Sequence, residues 1–335
     1  MPIQGGETFF IKTEYCTLVR FSVIMPLFNK APYVAKAIGS VLSQTFTDFE
    51  LIVVNDGSTD DSAAIAEQAL TGNANCKLIQ QENAGVSVAR NNGVAASKGE
   101  YLCFLDADDW WEPTFLEEME QLVGEFPGAG IYGSNYTIVN ERKHKTRVAH
   151  IGVKEGFEKG YINYCQVYAK TMNMPLCTGA ICVPRTVFEE LGGFPKGISL
   201  GEDFLLWIKI ALKYNVAFLN KPLSFYNQDV ETKNRGVGHL HDPNCHMLWN
   251  LGFLSMEEQT NPDYKLLVDN LRTYGLMPYY LSKDYREDAR QELAKVDWEL
   301  QPSRVRIQYK TPVFLLKCRK VLFQCGSWIK QRFHG

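Results

Sequence analysis

Residues 51–60 read Leu51-Ile52-Val53-Val54-Asn55-Asp56-Gly57-Ser58-Thr59-Asp60. The uninterrupted apolar run at the start predicts a strand covered on both faces. Asn55-Asp56-Gly57 ends it, because Gly turns the chain and Asn and Asp bond back to their own backbone. Ser58-Thr59-Asp60-Asp61 then offers capping side chains, which predicts a helix through Leu70. The same strand–turn–helix unit recurs outward in both directions. Upstream, Phe21-Ser22-Val23-Ile24-Met25 is a strand stopped at Pro26, and Ala31 to Gln44 is helical, with Val34, Ile38, Val41 and Leu42 on one face. Downstream come a strand from Lys77 to Gln81, a helix from Val86 to Ser97 and a strand from Tyr101 to Leu105. Strands alternating with helices of this length predict an α/β fold with a mostly parallel sheet. Right-handed crossovers place helices on both of its faces.

In such a sheet ligands bind outside the carboxyl ends of the strands. Pro26-Leu27-Phe28-Asn29, Asn55-Asp56-Gly57-Ser58 and Asp106-Ala107-Asp108-Asp109 all follow strands and gather there. From about residue 115 the pattern loosens. A helix runs through Phe126, strands are expected at 130–139 and 179–184, a helix follows Gly201, and Val216-Ala217-Phe218-Leu219 reads as a strand. The chain looks helical over 242–298, and no internal repeat is visible.

A length of 335 residues suggests about two domains. With 45% hydrophobic and 22% charged residues the chain is globular rather than disordered. Thirty-five basic and 38 acidic residues give a net charge of −3, which argues against nucleic acid as a partner. The stretch from Pro302 to Gly335 holds eight Lys or Arg and no Asp or Glu, so taking +8 from −3 leaves −11 on the other 301 residues. A basic tail on an acidic body is expected to meet something anionic. The nine cysteines form no CxxC pair, which fits reduced thiols in the cytosol. Glu7 and Glu14 interrupt any signal-peptide pattern, and no apolar run reaches the length of a membrane span. A cytoplasmic protein, either soluble or peripheral on the inner face of the cell membrane, is expected.

Asp106-Ala107-Asp108-Asp109 sets three carboxylates within four residues. Their repulsion calls for a cation, and hard oxygen donors suit Mg²⁺ or Mn²⁺. A solvated helix-capping turn accounts for the same residues. An EF-hand does not, because Trp110 and Trp111 fill positions that need a ligand and a glycine. Asp56 can accept a hydrogen bond from a base edge, or simply close its turn. Arg90, in Arg90-Asn91-Asn92-Gly93, is either a surface charge or part of a nucleotide pocket. Glu202 and Asp203 open a helix, where acids also serve as dipole partners. His239, His241, Cys245 and His246 have the residue mix of a zinc site without its spacing, so solvated histidines are expected.

Together these segments resemble the family-two inverting glycosyltransferases. The likeness runs from Val23-Ile24-Met25-Pro26-Leu27-Phe28-Asn29 through Val53-Val54-Asn55-Asp56-Gly57-Ser58-Thr59-Asp60 and Asn83-Ala84-Gly85. It continues with Ala89-Arg90-Asn91-Asn92-Gly93 and Phe104-Leu105-Asp106-Ala107-Asp108-Asp109, then Gly192-Gly193-Phe194, Glu202-Asp203 and Leu206-Trp207. It spans about residues 20–230, and the order of the motifs makes it specific. The resemblance implies the GT-A fold, a Rossmann-like nucleotide half joined to an acceptor half, here with a helical C-terminal extension. It implies transfer of a sugar from a UDP-sugar to a saccharide or lipid-linked saccharide. Pro26, Phe28, Asn29 and Asp56 would line the base pocket, and Arg90 would support it. Asp106 would lie near the ribose and the metal, and Asp108 would hold Mn²⁺ or Mg²⁺. Asp203 would be the general base, with Glu202 beside it. Three departures stand out: Phe28 replaces a common Tyr, Asn55 a common Asp, and Tyr226-Asn227-Gln228 lacks the usual basic and His residues. A UDP-sugar-binding homologue without activity, or a nucleotidyltransferase making NDP-sugars, shares much of this pattern. The latter would want a Gly-rich loop after the first strand, and the former would be expected to lack Asp108 or Asp203.

The implied organisation is an N-terminal extension (1–20), a nucleotide-sugar half (21–110), an acceptor and catalytic-base half (111–230), a helical extension (231–301) and a basic amphipathic tail (302–335). Thr311-Pro312 reads as the start of a tail helix. Phe314, Cys318, Val321, Leu322, Cys325, Trp328 and Ile329 then fall on one face, broken by Leu316 and Phe323. Such a helix either lies on an anionic membrane surface or docks on the acidic body.

Overall fold

The computed structural model describes residues 19–140, 142, 144–229 and 240–318. The chain alternates from the start: β1 (Phe21–Leu27), α1 (Val34–Leu42), β2 (Phe49–Asp56), α2 (Ser62–Leu70), β3 (Cys76–Gln81), α3 (Val86–Ala95) and β4 (Tyr101–Phe104). These strands lie parallel in the order β3-β2-β1-β4. Side chains of β1 alternate between two cores. Phe21, Val23, Met25 and Leu27 share one with Val34, Ile38 and Val41 of α1, while Ile24 shares the other with Ala89 and Val94 of α3. Coverage on both faces is what the apolar runs required, at roughly 1.5–3 kcal/mol per buried large side chain. α3 rides close to the sheet, since a Cβ at Gly93 would meet Ile24 at 2.5 Å.

The second half continues the same sheet. Its elements are β5 (Trp110–Trp111), α4 (Phe115–Glu125), β6 (Ile131–Asn140), β7 (Lys145–Val148), β8 (Lys159–Ile162), α5 (Tyr164–Thr171), β9 (Ile181–Pro184), α6 (Arg185–Glu190), α7 (Glu202–Lys213) and β10 (Val216–Asn227). The strand order goes on as β4-β9-β6-β10-β5, with β9 antiparallel to both neighbours and β6 parallel to β10. β10 runs well beyond the four residues expected. Its register with β6 shifts between Leu219, Pro222 and Ser224, and this irregularity carries the strand past a proline that cannot donate. β7 escapes sequence reading because all four of its residues are exposed, so no apolar pattern marks it.

The expected helical extension comprises α8 (Ser255–Thr260), α9 (Pro262–Gly275), α10 (Met277–Leu281) and α11 (Arg286–Leu293), and α12 (Ser303–Lys310) follows it. Asn261 caps α9 by accepting from the N–H groups of Asp263 and Tyr264, and Pro262 opens it. Tyr264, Leu267, Val268 and Leu276 share one core with Leu205 and Trp207 of α7. α12 lies in the tail, ahead of the expected helix start. Tyr309 docks it, donating to the Thr273 carbonyl and packing on Tyr280 and Trp298. Thr311 caps the end of α12 rather than starting the next helix, which covers 313–318 of the described residues. Its packing reverses the expected stripe: Leu316 is buried, while Phe314 and Cys318 are exposed. The remainder of that stripe lies outside the described residues, as does most of the N-terminal extension.

Candidate active site

The loops after β1 and β2 hold each other. Asn29 takes a left-handed φ of 51°. Its N–H donates to Ser58 Oγ (3.1 Å), and its Oδ1 accepts from the Thr59 N–H (2.8 Å). Asp60 accepts from the N–H groups of Ala31 and Ser62. Ser58 to Asp60 thus tie two loops together, and α2 begins only at Ser62 with no capping side chain. The expected helix start at Ser58 is corrected on this ground: those side chains are engaged across the sheet edge. Asn29 serves the same brace; next to it in the chain Phe28 is 44% exposed, and Pro26 is partly buried.

Asp56 ends β2 buried. Its Oδ1 accepts from Gln81 Nε2 (2.8 Å) and the Ala84 N–H (2.8 Å), and its Oδ2 from the Gly85 N–H (2.9 Å). A carboxylate has about four lone-pair positions, so one on Oδ2 is left for a ligand donor. Gly57 has φ 71°, and a Cβ there would stand 2.9 Å from the Asn83 nitrogen, which explains the glycine in this turn.

Arg90 joins the two halves. From α3 its Nη2 donates to Asp106 Oδ1 after β4 (2.7 Å), and its Nη1 to Glu202 Oε1 at the start of α7 (2.9 Å). The guanidinium lies 5.1 Å over the Phe194 ring and is 3% exposed. Burial works against its charge, but Asp106 and Glu202 outweigh burial and hold its pKa above the ordinary value. Glu202 is buried too. Burial and then the neighbouring Asp203 charge push its carboxyl up, against the pull of Arg90. Asp203 is more open. Its Oδ2 accepts from the Thr178 hydroxyl (2.7 Å), and Thr178 lies in the turn that leads into β9.

Gly201 sets the entry to α7. With φ 83° it takes the left-handed region, and a Cβ would stand 2.4 Å from Met247 Sδ. The segment before α7 also bonds to the extension through Ser199 N–H to Cys245 O (2.8 Å) and Met247 N–H to Leu200 O (3.1 Å). The extension therefore braces the turn that presents Glu202 and Asp203.

Asp106 and Asp108 follow β4. Asp108 Oδ2 meets Lys30 Nζ at 2.8 Å. Burial raises the Asp108 carboxyl, Lys30 pulls it back, and Asp106 raises it again. Asp109 is fully buried and accepts from the Asn227 N–H (2.8 Å). Burial, then the charges of Asp108 and Asp106, hold it well above the usual carboxylate range. Among the described residues, Asp106, Asp108, Glu202 and Asp203 outnumber Lys30 and Arg90, the cations that pair with them. That negative excess and the hard oxygen donors fit a divalent cation of the Mg²⁺ or Mn²⁺ class. No group of three or more His, Cys, Asp or Glu poised for a metal occurs among the described residues.

Lys30 and Thr178 are the residues that sequence reading passed over. Lys30 directly follows Phe28-Asn29, which was the available signal; nothing local marks Thr178. Among the histidines, His239 lies outside the described residues. His246 is buried rather than solvated: its Nδ1 accepts from the Leu248 N–H, and it packs on Trp249 and Tyr279. Burial, then His241, lowers its pKa to about 4. His241 lies 3.1 Å from Ser199 Oγ. The described cysteines are all free.

A family model described as glycosyl transferase family 2 matches residues 22–192, half of the chain. The glycosyltransferase GlyA of Streptococcus pneumoniae is 35% identical over 215 residues, covering 62% of this chain and 30% of GlyA. An uncharacterized glycosyltransferase of Rickettsia conorii, RC0461, is 32% identical over 266 residues, covering 79% of this chain and 38% of the relative. The chain thus spans about a third of the length of these curated relatives. The crystal structure of Staphylococcus aureus TarS 1–349 in complex with UDP-GlcNAc superposes with a TM-score of 0.65 at 20% identity. It covers 85% of this chain and 82% of that one, which shows the shared fold. No helix among the described residues is long and apolar enough to cross a membrane.

Proposed function

The chain belongs to glycosyl transferase family 2, and on that premise we propose that it transfers a sugar, with inversion, from a UDP-sugar to a hydroxyl of a saccharide or lipid-linked saccharide. The observation that carries this reading is the Arg90 bridge. It brings the acid cluster after β4 and the Glu202-Asp203 pair to one place at the carboxyl ends of the strands. In this reading Phe28 stacks on the base beside Pro26, and the free lone pair of Asp56 accepts the base N–H. Asn29 braces the pocket from behind. Asp106 lies near the ribose, and Asp106 and Asp108 would hold Mn²⁺ or Mg²⁺. The cation, when bound, supplies Lewis-acid stabilisation of the leaving diphosphate.

Asp203 takes the acceptor proton. Its hydrogen bond from Thr178 orients the carboxylate, and its exposure leaves it reachable, whereas Glu202 is buried and occupied by Arg90. The alcohol attacks C1 of the sugar as UDP leaves from the opposite face, so a single displacement inverts the centre. A panel of NDP-sugars, assayed for nucleotide release with and without Mn²⁺ and an acceptor mixture, tests the reading. TarS is a fold neighbour solved with UDP-GlcNAc, so that sugar leads the panel. Metal-dependent release from a UDP-sugar is expected; release from none of them would overturn the assignment.

The acceptor side is proposed to work at an anionic membrane surface. Phe314 and Leu315 are 65% and 47% exposed, and they lead into the basic tail. Each basic residue near such a surface adds about 1 kcal/mol. Tyr309 holds α12 to the body, so a truncation has to fall after Thr311. The full chain is expected to pellet with anionic liposomes in a salt-sensitive way, and the chain ending at Thr311 to stay in the supernatant. Equal pelleting of the two would sink the membrane reading.

A further inference from the structure

We propose that Lys30 is an internal stand-in for the divalent cation: it neutralises Asp108 until a nucleoside diphosphate arrives, and so makes metal binding contingent on nucleotide. This rests on the metal–diphosphate reading given above. The ammonium lies 2.8 Å from Asp108 Oδ2, and each side chain is only 16% exposed. The fold delivers it there. The Lys30 N–H donates to Ser62 Oγ (2.7 Å), and the preceding Asn29 is locked to Ser58 and Thr59. Asp108 has need of such a partner, because its side chain is largely buried and another carboxylate, Asp106, stands two residues away.

A divalent ion settling alone on Asp108 has to break this ion pair and then stand beside a displaced ammonium. Like charges at such range, shielded from water, repel strongly. A diphosphate reverses the balance. Its oxygens offer the ammonium a new anion and lower the positive charge around the metal. Lysine suits the task as a compact charge on a flexible stem with three donors. Metal and nucleotide are then coupled positively, and linkage makes the coupling reciprocal. Lys30 is a positioning residue in this scheme; it forms and breaks no covalent bond.

Mn²⁺ titrations of wild type, Lys30→Met and Lys30→Arg, each with and without UDP, test it. Wild type is expected to bind Mn²⁺ weakly alone and about 100-fold more tightly with UDP. Lys30→Met should bind Mn²⁺ alone about 10-fold more tightly than wild type and lose most of the gain from UDP. Lys30→Arg keeps the cation and should resemble wild type without nucleotide. Lys30 contributes to the shape of this loop through its backbone N–H and carbonyl, so Lys30→Met should fold, and Mn²⁺ alone should raise its melting temperature but not that of wild type. A Lys30→Met protein with wild-type or weaker nucleotide-free affinity overturns the role of Lys30 while leaving the metal site standing. Wild type that ignores Mn²⁺ even with UDP removes the metal–diphosphate reading, and this inference with it.

Discussion

Asp203→Asn is expected to lower sugar transfer by about 10²–10⁴-fold, the usual worth of a general base, with UDP-sugar affinity nearly unchanged. The substitution is close to isosteric. Asn keeps the Oδ1 acceptor used by the Phe204 N–H (2.8 Å), and the Thr178 hydroxyl can rotate to accept from the new amide. Only the proton acceptor is lost. Calorimetric UDP titration beside steady-state kinetics reads the two effects apart. A loss of affinity as large as the loss of rate would make Asp203 a structural cap. Glu202→Gln provides the contrast, since it weakens a buried ion pair and leaves Arg90 to Asp106 alone. Removing one member of a buried pair typically costs several kcal/mol, so its rate defect should come with a lower melting temperature. A larger rate defect in Glu202→Gln at unchanged stability would move the base by one residue.

Asp108→Asn is expected to abolish the metal-dependent part of turnover, a fall of at least about 10²-fold, because a neutral amide is a poor ligand for a hard cation. The fold should hold. Burial and Asp106 already raise the Asp108 carboxyl, and neutralising it relieves that repulsion even as Lys30 loses its partner. Nucleotide release measured across a Mn²⁺ titration checks this. Wild-type rates with an unaltered Mn²⁺ dependence would remove Asp108 from the metal site.

The first half of the sheet was legible because its signals are local. β1, β2 and β4 are apolar runs covered on both faces, and α1 carries helical periodicity between β1 and β2. The second half was less legible for equally physical reasons. β7 is exposed throughout, β5 is two residues long, and β10 continues past Pro222 only because a register shift absorbs it. Ser58 and Asp60 carry capping chemistry, but their partners lie on the loop after β1, so the helix starts later than its sequence suggests.

By itself the sequence determined the α/β alternation and put Asp56, Asp106 and Asp108 at strand ends, because strand runs and turn residues act over a few neighbouring positions. It also placed Glu202 and Asp203 together at a helix start. Only the tertiary structure decided which partners those groups meet. Arg90 occupies Glu202 from 112 residues away and leaves Asp203 open, and Lys30 comes from the loop after β1 to cover Asp108. β9 enters antiparallel between β4 and β6, bringing Thr178 to Asp203. These pairings are made through space between distant segments, where charge and shape meet after the chain has packed. A local pattern of residue types carries no record of which partner will arrive.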